Sequence, residues 1–339
     1  MLLELQVDRF KLWAPARKAP CSELGGIMNQ FSQVPADGVA GVGQATSAER
    51  VLAQSDDPYS GPFVASEPAI ERAPLSLVKI EDLQGGGLRL GAFVTNADIA
   101  YDPRVMRRYP LLVSAILAGA TPQSRSAVTN GGNLCQLTRC YYFRETEEGE
   151  PGDGVKCVHE ILGESDSSSA TPFSDMGVAL TALDAKVRIT GPGGERVIPF
   201  PEYCRLDDGR LRLDSCLRPG ELLTAVELPF EDFSHHFAYL KLCERSSRAF
   251  ARMSVAVALR LEGDRISEAR LAISGFAHSP WRSPIAESGL AGERVSHDTF
   301  AAAAHDILSG AVGAGDNDPK IEFARGAIVQ AFEQAVTAI

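Results

Sequence analysis

Residues 123–134 read Gln123-Ser124-Arg125-Ser126-Ala127-Val128-Thr129-Asn130-Gly131-Gly132-Asn133-Leu134. Two adjacent glycines remove both Cβ atoms, so the backbone can come close to an anionic group and aim successive N–H donors at it. Thr129 and Asn133 add side-chain donors on either side, a combination that suits a pyrophosphate. A Gly-Gly pair in a polar loop also reads as an ordinary turn. The surrounding chain has to decide between the two.

Upstream, Leu88, Leu90 and Ala92 alternate with Arg89 and Gly91 as a strand, and Pro110 opens an apolar stretch, Leu111 to Leu117, that suits a helix. Downstream, Lys186 to Phe200 predicts a hairpin. Val187 and Ile189 face inward, Gly191-Pro192-Gly193-Gly194 turns the chain, and Val197 and Ile198 return. Leu222 to Leu228 is a further strand. The polar run Glu231-Asp232-Phe233-Ser234-His235-His236 then marks a boundary near Phe230. Beyond it Val255, Val257, Leu259 and Leu261 alternate with small or polar residues, Glu262-Gly263-Asp264 turns, and Ile266 to Ile273 comes back antiparallel. Two helices follow, an Ala-rich one over Thr299 to Leu308 and one opened by Asp318-Pro319. Strands followed by helices predict an α+β fold, with domains over 75–230 and 231–339. Residues 1–74 read differently, with scattered Pro, Gly, Ser and Ala and no sustained apolar period.

At 339 residues the chain exceeds the size at which one core usually stops growing, which favours two packed domains. Its hydrophobic share, 45%, is ample for a core, while 23% charged residues and no long apolar run predict a soluble protein without a membrane span. A net charge of −11 and a pI near 5.1 argue against nucleic acid as a partner. Seven cysteines, an odd number thinly spread, suit a reducing compartment better than a disulfide scaffold. Met1 to Leu12 lacks the apolar core of a secretory signal, so the expected location is cytoplasmic, with export possible only alongside a partner.

From Leu75 onward the chain closely resembles the FAD-binding subunit of the xanthine dehydrogenase family of molybdenum hydroxylases, above all its aldehyde oxidoreductase branch. The ordered matches are Leu90-Gly91-Ala92-Phe93-Val94-Thr95-Asn96, Tyr109-Pro110-Leu111-Leu112, Ala127 through Leu134, and Thr138-Arg139-Cys140-Tyr141-Tyr142-Phe143-Arg144. They continue with Ser174-Asp175-Met176, Pro219-Gly220-Glu221-Leu222-Leu223, Tyr239-Leu240-Lys241 and Pro280-Trp281-Arg282. The resemblance implies a PCMH-type FAD-binding domain followed by a domain like the C-terminal domain of carbon monoxide dehydrogenase flavoproteins. It implies FAD as cofactor and an oxidoreductase that transfers electrons, with a 2Fe-2S iron–sulfur subunit and a molybdopterin-binding large subunit as partners. Its loop maps onto Thr129, Asn130, Gly131, Gly132 and Asn133 around the diphosphate, with Asn130 at a position usually apolar. Asp175 maps to an acceptor for FAD hydroxyls, or else caps its helix. Leu223 maps to the flavin lining and Lys241 to a cation beside the isoalloxazine. No catalytic acid, base or nucleophile is implied.

Two features depart from the family. Its earlier Gly-Gly-Thr loop is not found: Gly41-Val42-Gly43-Gln44-Ala45-Thr46 lacks the third glycine of a dinucleotide fingerprint and follows no credible strand. A shifted reading frame over residues 1 to about 73 would explain the change of texture, and translating the other frames of the gene checks it. A non-catalytic assembly subunit that no longer holds FAD is the alternative this departure raises. In the branch that can hold a four-iron cluster, four thiolates are needed, and here only Cys140 and Cys157 lie in that segment, with Cys135 before it and His159 as the substitute ligand. No metal site is expected, and His235-His236 reads as linker.

Overall fold

The computed structural model describes residues 75–135, 162, 174–204, 217, 221–230, 233–243, 251, 253–277, 279–311 and 318–337. All of them belong to one unit, Thr46–Ile339. The glycine-rich segment at 41–46, Cys140, Cys157 and His159 lie outside the described residues.

The first sheet is antiparallel and five-stranded, formed by β1 (Ile80–Asp82), β2 (Leu88–Gly91), β3 (Lys186–Gly191), β4 (Gly194–Pro199) and β5 (Leu222–Leu228) in the order β1-β2-β5-β3-β4. Leu88 and Leu90 are buried while Arg89 is half-buried, as the alternation predicts. The 186–200 hairpin forms, and Gly194 turns it with φ +104°, a value that L side chains rarely adopt. Glu227 on β5 ties three strands together. It accepts from Arg89 Nε at 3.0 Å on β2 and from Arg188 Nε at 2.9 Å on β3.

Burial acts to raise the Glu227 carboxyl, and the guanidiniums of Arg188 and Arg89 together outweigh it, holding the group below its usual value of 4.5. A depressed folded pKa stabilises above the unfolded pKa and is lost as pH falls through the folded one. The urea midpoint is therefore expected to drop between about pH 5 and pH 3. Glu227→Gln should flatten that drop; an unchanged profile in the variant would remove Glu227 from the account.

Between β2 and β3 run α1 (Asn96–Tyr101), α2 (Pro103–Arg108), α3 (Pro110–Gly119), α4 (Pro122–Ala127), α5 (Asn130–Leu134) and α6 (Asp175–Ala182), and α7 (Phe200–Tyr203) follows β4. Local chemistry starts most of them. Thr95, Asp102, Thr121, Thr129 and Ser174 each accept an amide at the first turn, and Pro103, Pro110 and Pro122 sit where a missing N–H costs nothing.

The second sheet, β6 (His236–Leu242), β7 (Met253–Glu262), β8 (Arg265–Ser274) and β9 (Trp281–Arg282), is antiparallel in sequence order. It is followed by α8 (Pro284–Leu290), α9 (His297–Ile307) and α10 (Asp318–Thr337). α9 begins two residues before the predicted Thr299 because Ser296 caps it. Both faces of this sheet are covered. Val255, Val257, Leu259, Leu271 and Ile273 join Phe300, Ile328 and Phe332 in one core, where the rings of Phe300 and Phe332 stack at 4.8 Å. Ala256, Ala258 and Ala272 belong to the other core, with Leu112, Ile116 and Val178 of α3 and α6. Small side chains on that face let the two helices approach the sheet closely. No helix among the described residues is long and apolar enough to cross a membrane.

Candidate functional site

The 129–134 loop is stitched onto the chain leaving β2. Asn130 N donates to Val94 O at 2.8 Å, Gly131 N to Ala92 O at 2.8 Å, and Asn96 N to Val128 O at 2.9 Å. Gly132 N donates to Thr129 Oγ1 at 3.1 Å, and Asn133 N to Thr129 O at 2.9 Å. The four amides from 130 to 133 are therefore all taken within the protein, which differs from the expectation that they point at a diphosphate. A Cβ on Gly131 would sit 3.1 Å from both Cβ and O of Ala92, so close approach to the strand already explains that glycine. Asn130, fully buried, donates Nδ2 to Leu90 O at 3.1 Å, and its Oδ1 is buried without a partner.

What the loop retains is side-chain capacity. The Thr129 hydroxyl accepts from Gly132 and is enclosed, the residue being 1% exposed. Asn133 Oδ1 accepts from Ser174 Oγ at 2.9 Å, and among the described residues Asn133 Nδ2 has no partner. On α4, Arg125 is buried. It donates Nη1 to Ala120 O at 2.5 Å and Leu117 O at 3.3 Å, leaves Nε unpaired, and has no carboxylate partner among the described residues. A buried cation balanced only by carbonyls favours an anion nearby. Among the described residues of the loop, Asn133 Nδ2 fits a diphosphate held by a side chain rather than by main-chain amides.

Ser174, which donates to Asn133, also caps α6 by accepting from Gly177 N at 3.0 Å. The next residue, Asp175, is buried and is the hub of a polar cluster that reaches the second sheet. Its Oδ1 accepts from Tyr239 Oη at 2.6 Å and Ser254 Oγ at 3.2 Å, and its Oδ2 from Lys241 Nζ at 2.7 Å. Lys241 Nζ also lies 3.4 Å from Ala118 O at the C-terminal end of α3. Cation and anion thus sit at helix ends of complementary sign. Burial, and after it the Asp175 charge, push the Tyr239 phenol well above its usual value, so it keeps its proton and remains a donor. Gly119 leaves room for this carboxylate: a Cβ there would lie 3.1 Å from Asp175 Oδ2.

Of the eight residues singled out from sequence, Thr129 through Asn133, Asp175 and Lys241 form one run of contacts, joined by the Ser174–Asn133 hydrogen bond. Leu223 is not part of that run; it is buried on β5, in the same hydrophobic core as Leu134. Sequence reasoning passed over Tyr239, Ser254, Arg125 and the donor role of Ser174. For Tyr239 a signal existed, since residues two apart on a strand share a face, and Lys241 was already singled out. Ser254 stands opposite Lys241 in the β6–β7 register, which the sequence does not print.

Residues 66–231 match the family described as the FAD binding domain in molybdopterin dehydrogenase, and residues 238–338 match the CO dehydrogenase flavoprotein C-terminal domain. The aldehyde oxidoreductase FAD-binding subunit PaoB of Escherichia coli is 40% identical over 243 residues, covering 68% of this chain and 75% of that protein. The glyceraldehyde dehydrogenase medium chain of Sulfolobus acidocaldarius is 32% identical over 131 residues, 39% of this chain and 44% of that one. Among solved structures, carbon monoxide dehydrogenase from Hydrogenophaga pseudoflava superposes with a TM-score of 0.60 at 22% identity, over 78% of this chain and 79% of that chain, a likeness of fold. The α+β architecture and the two consecutive family matches agree, and the chain belongs to the FAD-binding subunits of the molybdenum hydroxylase family, oxidoreductase components whose cofactor is FAD.

Proposed function

We propose that this chain is the electron-transfer subunit of a molybdenum-containing aldehyde oxidoreductase or hydroxylase complex. Residues 75–230 would carry FAD and residues 231–339 would form the second domain. Its partners would be a 2Fe-2S iron–sulfur subunit and a molybdopterin-binding large subunit. Bound FAD supplies one- and two-electron redox chemistry, which lets such a subunit receive electrons from an iron–sulfur partner and release them to an external acceptor. In this reading Asn133 Nδ2 donates to the diphosphate, and Thr129 shapes the loop of residues 129–133 around it by capping its helix. Asp175 and Lys241 form the polar wall, and Leu223 lines the flavin.

The observation that carries the reading is the continuous run from Asn133 through Ser174 and Asp175 to Lys241, which joins the loop to the second sheet. Titrating FAD into the purified full chain, followed by flavin fluorescence and absorbance, tests it. Saturable uptake, weakened about tenfold by Asn133→Ala, is the expected result. A colourless chain that takes up no FAD but still co-purifies with the iron–sulfur and molybdopterin subunits would favour the assembly-subunit alternative instead.

A further inference from the structure

The loop's main-chain donors are spent, so the direction of one side-chain amide acquires unusual weight. Asn133 can present either an acceptor or a donor, and what selects between them is Ser174. The Ser174 oxygen already receives the Gly177 N–H, and its single proton goes to Asn133 Oδ1 at 2.9 Å. If Asn133 turned over, that proton would have no acceptor among these partners.

Ser174 is in turn held still. It caps α6, whose eight residues are all buried. Strands of the second sheet grip α6 at both ends. At the N-terminal end Asp175 receives Tyr239, Lys241 and Ser254. Just past the C-terminal end Arg282 reaches Thr181 O at 3.2 Å and pairs with Asp184, which also pairs with Arg270.

We propose that Ser174 is a positioning residue for the FAD diphosphate: through its hydrogen bond it holds the Asn133 side chain with Oδ1 toward Ser174, and so reserves Nδ2 as the donor to the ligand. The proposal rests on the FAD reading above and adds to it the residue that sets the polarity of the grip.

The variant that separates positioning from capping is Ser174→Asp. A carboxylate still accepts the Gly177 N–H, so the helix cap survives, but it cannot donate to Asn133 Oδ1 and instead draws Nδ2 toward itself. Ser174→Thr keeps both roles. FAD affinity of the full chain is measured by fluorescence titration for the two variants, for Asn133→Ala, and for Ser174→Asp combined with Asn133→Ala. Ser174→Thr should stay within about twofold of the parent, and Ser174→Asp should weaken binding at least about tenfold with its cap, and so its melting temperature, largely kept. In the Asn133→Ala background the same Ser174→Asp change should cost less than about threefold, since the group it acts through is gone. An equal cost in both backgrounds, as a bare charge effect would give, overturns the proposal, and so does a Ser174→Asp chain that binds like the parent.

A second readout needs no FAD. The side-chain amide resonance of Asn133 should coincide in the parent and Ser174→Thr chains and move in Ser174→Asp. Failure of the parent to bind FAD would sink the underlying functional reading on its own, while the resonance would still decide whether Ser174 sets the amide; an unmoved resonance refutes it.

Discussion

Asp175→Ala is expected to lower the unfolding free energy by about 3–5 kcal/mol, the cost of leaving a buried charge without its partner. Three donors lose their acceptor at once: Tyr239 Oη, Lys241 Nζ and Ser254 Oγ. Lys241 is about as enclosed as Asp175, with side chains 10% and 9% exposed, and among the described residues keeps only the Ala118 carbonyl at 3.4 Å. Asp175→Asn should cost less, because Oδ1 can still serve Tyr239 and Ser254 while Nδ2 faces the ammonium. The informative comparison is the double change Asp175→Leu with Lys241→Met. An apolar pair of similar size removes the uncompensated ammonium, so the double variant should recover the part of the loss owed to Lys241, while Tyr239 Oη and Ser254 Oγ still lack their acceptor and hold the recovery to a part. Urea unfolding followed by far-ultraviolet circular dichroism measures all three. A loss below about 1 kcal/mol for Asp175→Ala would mean that water reaches the cluster and that the pair behaves as a surface ion pair.

Long elements were legible in the sequence and short ones were not, for a physical reason. Strand β2, the 186–199 hairpin, β5 and the β7–β8 pair were readable from period-two alternation and turn glycines, and α3 and α10 from apolar runs after a proline. Helices α1, α2 and α4 have six residues each, too few for a 3.6-residue period to repeat; their signals are the caps Thr95, Asp102 and Thr121 with the first-turn prolines Pro103 and Pro122. For β7 alternation reads as one inward face, yet both faces are buried, because alanine at 256 and 258 serves as a packing surface for helices as well as a neutral spacer. The loop shows the same limit. Its glycines and side-chain donors are visible in the sequence, but where its amides go depends on Ala92 and Val94, which lie far upstream and meet it only in the fold.

The motif Pro280-Trp281-Arg282 carried part of the family resemblance without a role, and the structure gives it one that predicts the second large effect. Glu287→Ala should destabilise the chain by about 3–5 kcal/mol. Glu287, 8% exposed, accepts from Arg282 Nε at 2.7 Å and Nη2 at 2.9 Å, a two-point grip, and also from Leu271 N at 2.8 Å. Truncation leaves Nε and Nη2 of the guanidinium and a buried amide without their acceptor together. Trp281 Nε1, donating to Ile307 O at 3.2 Å, anchors the neighbouring residue, so the arginine has little freedom to swing into solvent. Its other arm pairs with Asp184, a non-glycine residue at φ +50°, where left-handed backbone costs roughly 1 kcal/mol and so needs holding. Loosening Arg282 should therefore also free the end of α6. In Glu287→Ala, amide exchange at Asp184 and Ala185, which donate to Thr181 O and Leu180 O, is expected to accelerate more than exchange in β2 or β5. Glu287→Gln retains an acceptor and should cost about 1–2 kcal/mol, with a smaller change in exchange. Should Glu287→Ala lose less than about 1 kcal/mol and leave exchange at 184–185 unaltered, the pairing with Asp184 alone would suffice to satisfy Arg282, and the grip on α6 from this side would not depend on Glu287.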